Sequence, residues 1–214
     1  MHKLEQSVEV GQKQIPGLYT GSSYQPGTDS TMDNWITEWR SHAYPNELRK
    51  RLLHYDVKQE LGDRVLDIGS GPEPISFSLR NPKKIILIDV VPMVCSLECA
   101  GKEVTPIWAN VEILLKHGHY ADVVRKHGAI NTVIASSILN YLDWKELISA
   151  HQGIHAPGGY LFIANLSNRG VQNLFSEHRP QNHLQIVNDL PNYGYKVIEQ
   201  DIKNKLGIIV AKKD

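Results

Sequence analysis

The sequence predicts an α/β fold: a doubly wound, mostly parallel sheet of seven strands, with one antiparallel strand from a C-terminal hairpin and an N-terminal helical cap. Three observations carry this. Aliphatic runs of strand length alternate with segments of helical spacing, which is the order a parallel sheet needs. The first run, Val65-Leu66-Asp67-Ile68, ends on Gly69-Ser70-Gly71, a strand handing over to a loop whose backbone can approach a ligand closely. The last two runs are joined only by Lys203-Asn204-Lys205, too short for a crossover, so the chain closes on a hairpin.

Taken in order, residues 1 to about 30 are polar and turn-rich, an arm into which Tyr19 and Tyr24 are set. Helical spacing starts at Thr31, with Trp35 and Trp39 on one face. A second helix over about 46–60 carries Leu48, Leu52, Leu53 and Val57, with Pro45 at its start. Residues 1–60 are thus an arm and helical cap on a core of residues 61–214, all one domain. Strand 1 is expected at 64–68, a helix from the glycine turn to about Leu79, strand 2 at 84–89 and a helix over 92–100. Strand 3, at 104–108, contains Pro106, which lacks a ladder donor and so belongs at or near a sheet edge. A helical stretch at 111–127 leads to strand 4 from Ile130 to Ala135, and a helix over 143–154 leads through Pro157-Gly158-Gly159 to strand 5 at 160–164.

The glycine turn gains meaning from a second run, Ile85-Ile86-Leu87-Ile88, that ends in Asp89. Strand, glycine turn, crossover, and a second strand closed by an acid are the parts that grip a nucleoside: amides face one end and a carboxylate accepts from two ribose hydroxyls. A dinucleotide loop wants a third glycine, and Pro74 holds its place. Pro72 and Pro74 remove amide donors that a pyrophosphate would need, and Glu73 adds like charge. Asp67, two residues before the first glycine, suits a ligand with a cationic group.

Composition narrows the partners. The 214 residues have room for one domain with a substantial core. Their 23 basic and 23 acidic residues cancel, against the basic footprint of nucleic-acid binding. No apolar run approaches a membrane span of roughly 18 residues, and the first residues lack the apolar core of a secretory signal, so a cytoplasmic protein is expected. Cys95 and Cys99 read as two small buried hydrophobes on a helix, and no metal is expected.

Asp67-Ile68-Gly69-Ser70-Gly71 resembles motif I of the class I S-adenosylmethionine-dependent methyltransferases, and the likeness extends over roughly residues 60–214. Asp89 matches the family's ribose-binding acid and Val90 the residue near adenine. Asn110 and Val111 stand where the family often carries an acid after strand 3, and Asn131 replaces an acid near the start of strand 4. Ala135-Ser136-Ser137-Ile138-Leu139-Asn140-Tyr141 is similar to the stretch facing cofactor and methyl acceptor. Ala156-Pro157-Gly158-Gly159 looks like the turn before strand 5. The resemblance implies S-adenosylmethionine as cofactor, S-adenosylhomocysteine as product, and cofactor contacts from Asp67, Gly69, Ser70, Gly71, Asp89, Val90, Asn110, Val111 and Ser136. The balanced charge and single domain point to a small-molecule acceptor with no nucleic-acid or membrane partner, and a monomer or homodimer is expected. Acceptor contacts are expected from Tyr24, Trp35, Trp39, Asn140, Tyr141 and His183. Tyr141 and His178 are the candidates for moving a proton, if the acceptor must lose one. Three other readings stay open: a protein or peptide methyltransferase, an NAD(P)-dependent oxidoreductase, and a cofactor-binding protein without catalysis.

Overall fold

The structure, a computed structural model, describes residues 43–71, 73–90, 101–136, 138–166, 182–203 and 206–214. Helix α1 (Ala43–Val57) precedes strand β1 (Arg64–Ile68) and β2 (Lys84–Asp89). Then come β3 (Glu103–Trp108), α2 (Val111–Lys116), α3 (Tyr120–Arg125), β4 (Ile130–Ser136) and α4 (Trp144–His151). The chain ends with β5 (His155–Leu166), α5 (His183–Asp189), β6 (Tyr195–Lys203) and β7 (Leu206–Lys213). The seven strands form one sheet in the order β3-β2-β1-β4-β5-β7-β6. β7 runs antiparallel to both β5 and β6, and every other pairing is parallel. The mixed sheet is therefore as the sequence predicts, with the proline-bearing β3 at its edge.

Each face of the sheet carries its own apolar layer, because alternate side chains along a strand point to opposite faces. On one face Leu48 and Leu52 of α1 pack with Val65, Ile134, Tyr160, Phe162 and Val210. The other face joins Leu66, Ile68, Val133 and Leu161 to residues of α2–α5, including Leu114, Val124, Leu147 and Ile186. Helix α1 is thus a layer of the core. Arg51 ties it to the hairpin through ion pairs with Glu199 and Asp201.

Three elements differ from expectation. The helix expected from the glycine turn to Leu79 is only a 3-10 turn over Ile75–Ser78. Pro74 precedes it, and two carboxylates from elsewhere take the amides a longer helix would have used. Asp67 accepts from Ser76 N–H at 3.2 Å, and Asp56 of α1 accepts from Arg80 and Asn81 N–H at 2.7 and 3.1 Å. The helical stretch over 111–127 is two short helices, broken where Gly118 takes φ +71°. Strand β5 starts at His155, ahead of the expected Tyr160, and Pro157-Gly158-Gly159 lies within it as an irregularity between its pairings with Ile130 and Thr132. Asn131, standing where the resemblance expects an acid, accepts from Arg64 N–H at 3.1 Å and so pins the entry to β1. The helices expected around Thr31 and over 92–100, and with them Tyr24, Trp35, Trp39, Cys95 and Cys99, lie outside the described residues, as does His178.

Candidate functional site

In an open parallel sheet, ligands bind beyond the carboxyl ends of the strands, where the strand order reverses. Here the order reverses between β1 and β4, and the glycine turn leaves β1 at that point. Gly69 and Gly71 take φ +66° and +67°, a left-handed conformation that costs a side-chain-bearing residue about 1–2 kcal/mol. Gly69 is also needed for space: a Cβ there would stand 2.9 Å from that of Ile138, in the turn after β4. Two hydrogen bonds fix the loop to β2. Gly69 N–H donates to the Ile88 carbonyl at 2.9 Å, and Gly71 N–H donates to Asp89 Oδ2 at 2.8 Å. Glycine turn and acid, 18 residues apart in sequence, are one unit.

Behind the turn, Asp67 is 1 % exposed, and burial pushes its carboxyl up to about 6 although Ser76 N–H donates to it. Ser70 and Ser136, both buried, have hydroxyls without a hydrogen-bond partner. The polar atoms at this edge are thus only partly satisfied by the fold, as at a surface made to receive a polar ligand. Val90 follows Asp89 and is exposed, while Val111 is buried in the core. Asn110 caps α2, its side-chain oxygen accepting from Ile113 N–H at 3.0 Å, which leaves its amide N–H groups and one lone pair for a ligand.

Beyond β4, Ile138–Asn140 form a 3-10 turn, closed by a bond from Tyr141 N–H to the Ile138 carbonyl at 3.0 Å. Tyr141 is half-buried there. His183 opens α5, buried, its ring donating to the Asn165 main-chain carbonyl while Nε2 has no partner. Of the remaining imidazoles, His151 and His155 are buried away from this edge, held by Tyr120 and Tyr195 at 2.8 Å each. The residue the sequence reading passes over is Asn165. It lies near the carboxyl end of β5, fully buried, with neither side-chain oxygen nor nitrogen bonded. Its signal is a polar side chain closing the apolar run Tyr160-Leu161-Phe162-Ile163-Ala164. Among the described residues, no group of three or more His, Cys, Asp or Glu side chains could hold a metal ion.

No protein-family model and no curated protein sequence matches this chain. Solved structures do. The N-methyltransferase NodS from Bradyrhizobium japonicum, in complex with S-adenosylhomocysteine, superposes with a TM-score of 0.63 at 15 % identity, over 86 % of this chain and 97 % of that one. The chain has the class I methyltransferase fold. A second enzyme with this fold, 1,6-didemethyltoxoflavin-N1-methyltransferase from Burkholderia thailandensis, covers 95 % of this chain and 97 % of its own, with a TM-score of 0.61 at 11 % identity. A methyltransferase from Archaeoglobus fulgidus superposes at 0.56, with 16 % identity over 84 % of this chain and 99 % of that one. In this fold the glycine turn and Asp89 stand at the carboxyl edge of the parallel strands, where the strand order reverses.

Proposed function

We propose that this chain is an S-adenosylmethionine-dependent methyltransferase acting on a small-molecule acceptor. The observation that carries the reading is the lock between Gly71 N–H and Asp89, which sets a backbone cradle and a ribose-binding carboxylate side by side at the point where the strand order reverses. The donor set fits the cofactor. Asp67 is a buried carboxylate that favours a cationic ligand, and the unpartnered Ser70 and Ser136 hydroxyls can serve its polar groups. When bound, S-adenosylmethionine supplies an electrophilic sulfonium methyl, so the protein's share is alignment and the exclusion of water.

In this reading Asp67, Gly69, Ser70 and Gly71 hold the amino-acid end of the cofactor. Asp89 and Val90 hold the ribose and adenine, and Asn110 meets the adenine edge with its remaining hydrogen-bonding capacity. The acceptor lies over the turn at Ile138–Asn140, against Tyr141 and His183, with Tyr24, Trp35 and Trp39 as proposed contacts from the N-terminal segment. Tyr141 and His178 are the proposed proton acceptors where the acceptor needs one. The balanced charge supports a small acceptor over a nucleic acid. A cytoplasmic location fits, and no helix among the described residues is long and apolar enough to cross a membrane. A nicotinamide cofactor fits less well, since a 3-10 turn stands where its pyrophosphate needs a helix N-terminus.

Titration with S-adenosylhomocysteine tests the reading. The parent is expected to bind, and Asp89→Ala to bind about 30–150-fold more weakly, for the loss of about 2–3 kcal/mol of charge-assisted hydrogen bonding. Absence of parent binding at millimolar ligand would overturn it.

A further inference from the structure

Asn165 and His183 stand side by side, with the carboxamide and the imidazole Nε2 unpartnered. Asn165 pairs with Gly207 across the antiparallel β5–β7 ladder, and its side chain shares a face with Ile163 and Leu161, the face that α5 covers through Ile186. A Cβ on Gly207 would fall 2.1–2.4 Å from the His183 ring, so that ring occupies the space of a residue-207 side chain. Side chains directly opposite on neighbouring strands have Cβ atoms roughly 5 Å apart. The imidazole and the carboxamide are therefore neighbours, yet His183 Nε2, Asn165 Oδ1 and Asn165 Nδ2 are all without a partner.

The position suits a second ligand beside the proposed cofactor. Ile68 pairs with Ala135 and Ala135 with Ile163, which sets Asn165 level with the glycine turn after β1. Two strand spacings separate them, about 10 Å. The chemistry is equally specific. The ring N–H goes to the Asn165 carbonyl, and burial keeps the imidazole neutral, so Nε2 is a bare acceptor. The carboxamide beside it offers both a donor and an acceptor.

We infer that Asn165 and His183 form a recognition pair for a neutral lactam-type group, an N–H beside a C=O, on the methyl acceptor. The N–H donates to His183 Nε2 and the C=O accepts from Asn165 Nδ2. This deepens the methyltransferase reading and rests on it for the identity of the ligand as acceptor.

The test is calorimetry with 2-pyridone as the probe, on the full chain, run with and without S-adenosylhomocysteine. A failure of S-adenosylhomocysteine to bind would count against the methyltransferase reading while the pair is still measured. The parent is expected to bind 2-pyridone, and to bind N-methyl-2-pyridone, which lacks the N–H, at least tenfold more weakly. Asn165→Leu and His183→Phe should each weaken 2-pyridone at least tenfold and leave S-adenosylhomocysteine affinity within twofold. Asn165→Leu should also raise the melting temperature, because it removes unsatisfied buried polar atoms without emptying the space. No 2-pyridone binding to the parent, or equal binding to parent and variants, would overturn the inference. So would a lower melting temperature for Asn165→Leu, which would make the carboxamide a structural residue.

Discussion

Burial of a carboxylate costs free energy that some other interaction must offset, and Asp67 is 1 % exposed with Ser76 as its hydrogen-bond donor. Its pKa, raised to about 6 from 3.8, means that its contribution to stability is fully present below about pH 4 and is lost as pH rises through 6. At neutral pH the ionised group costs the ligand-free protein about 3 kcal/mol, two pKa units and a little more. Asp67→Asn keeps an acceptor for Ser76 N–H and removes the charge. Urea unfolding at pH 7 should show it more stable than the parent by about 1–3 kcal/mol, with weaker S-adenosylhomocysteine binding. A less stable variant would mean that the buried charge is not a burden. His151 and His155 carry the opposite sign. Burial lowers them to about 3 and about 4, so their stabilisation is complete above pH 6.5 and is lost as pH falls toward those values. Each contributes a slope of about 1.4 kcal/mol per pH unit below 6, partly offset by Asp67. His151→Gln, which can still bond Tyr120, should reduce the pH dependence of unfolding between pH 6 and 4.5 by one proton. An unchanged slope would show that His151 is not buried in its neutral form.

At the scale of elements, local sequence sets strands more firmly than helices in this chain. The runs at 85–88 and 160–164 are apolar throughout, the run at 65–68 is apolar but for Asp67, and all three sit wholly in the sheet, where burial on both faces is the main demand on them. The stretch after the glycine turn is decided by partners distant in sequence. Ile75–Ser78 stop as a 3-10 turn because Asp67 and Asp56 take amides that a continuing helix would use, and no periodicity in 72–79 announces those bonds. The joint between α5 and β7 is of the same kind. Gly207 reads as an ordinary strand glycine until the His183 ring is placed against it. Gly207→Ala should destabilise the protein by about 1–3 kcal/mol through overpacking. Adding His183→Ala should recover part of that loss, a coupling visible in a double-mutant cycle of urea midpoints. Strictly additive effects would mean that the ring and the strand do not touch.

At the scale of the whole molecule, a ligand that binds only the folded state stabilises it by mass action. S-adenosylhomocysteine at a hundred times its dissociation constant should add about 2.7 kcal/mol. For a chain of this size that raises the melting temperature by roughly 5–11 °C, and Asp89→Ala should lose most of the shift at the same concentration. No shift in the parent would count against the cofactor. The sequence by itself determined the class of the fold, the edge position of β3 and the single antiparallel strand. Each follows from short-range facts: strand-length apolar runs, a proline without a ladder donor, a linker too short to cross over. It also determined which residues meet at the glycine turn, because Gly69, Gly71 and Asp89 all lie at strand ends that parallel pairing must bring to one edge. Only the tertiary structure decided the rest. Asn131 became a strand clasp through the amide of Arg64, which its own position does not name. Asn165 met His183 because β7 inserts between β5 and β6 and carries a glycine at the point of contact. Pairings between residues distant in sequence depend on register and on missing side-chain volume, and neither is written in the periodicity of any one segment.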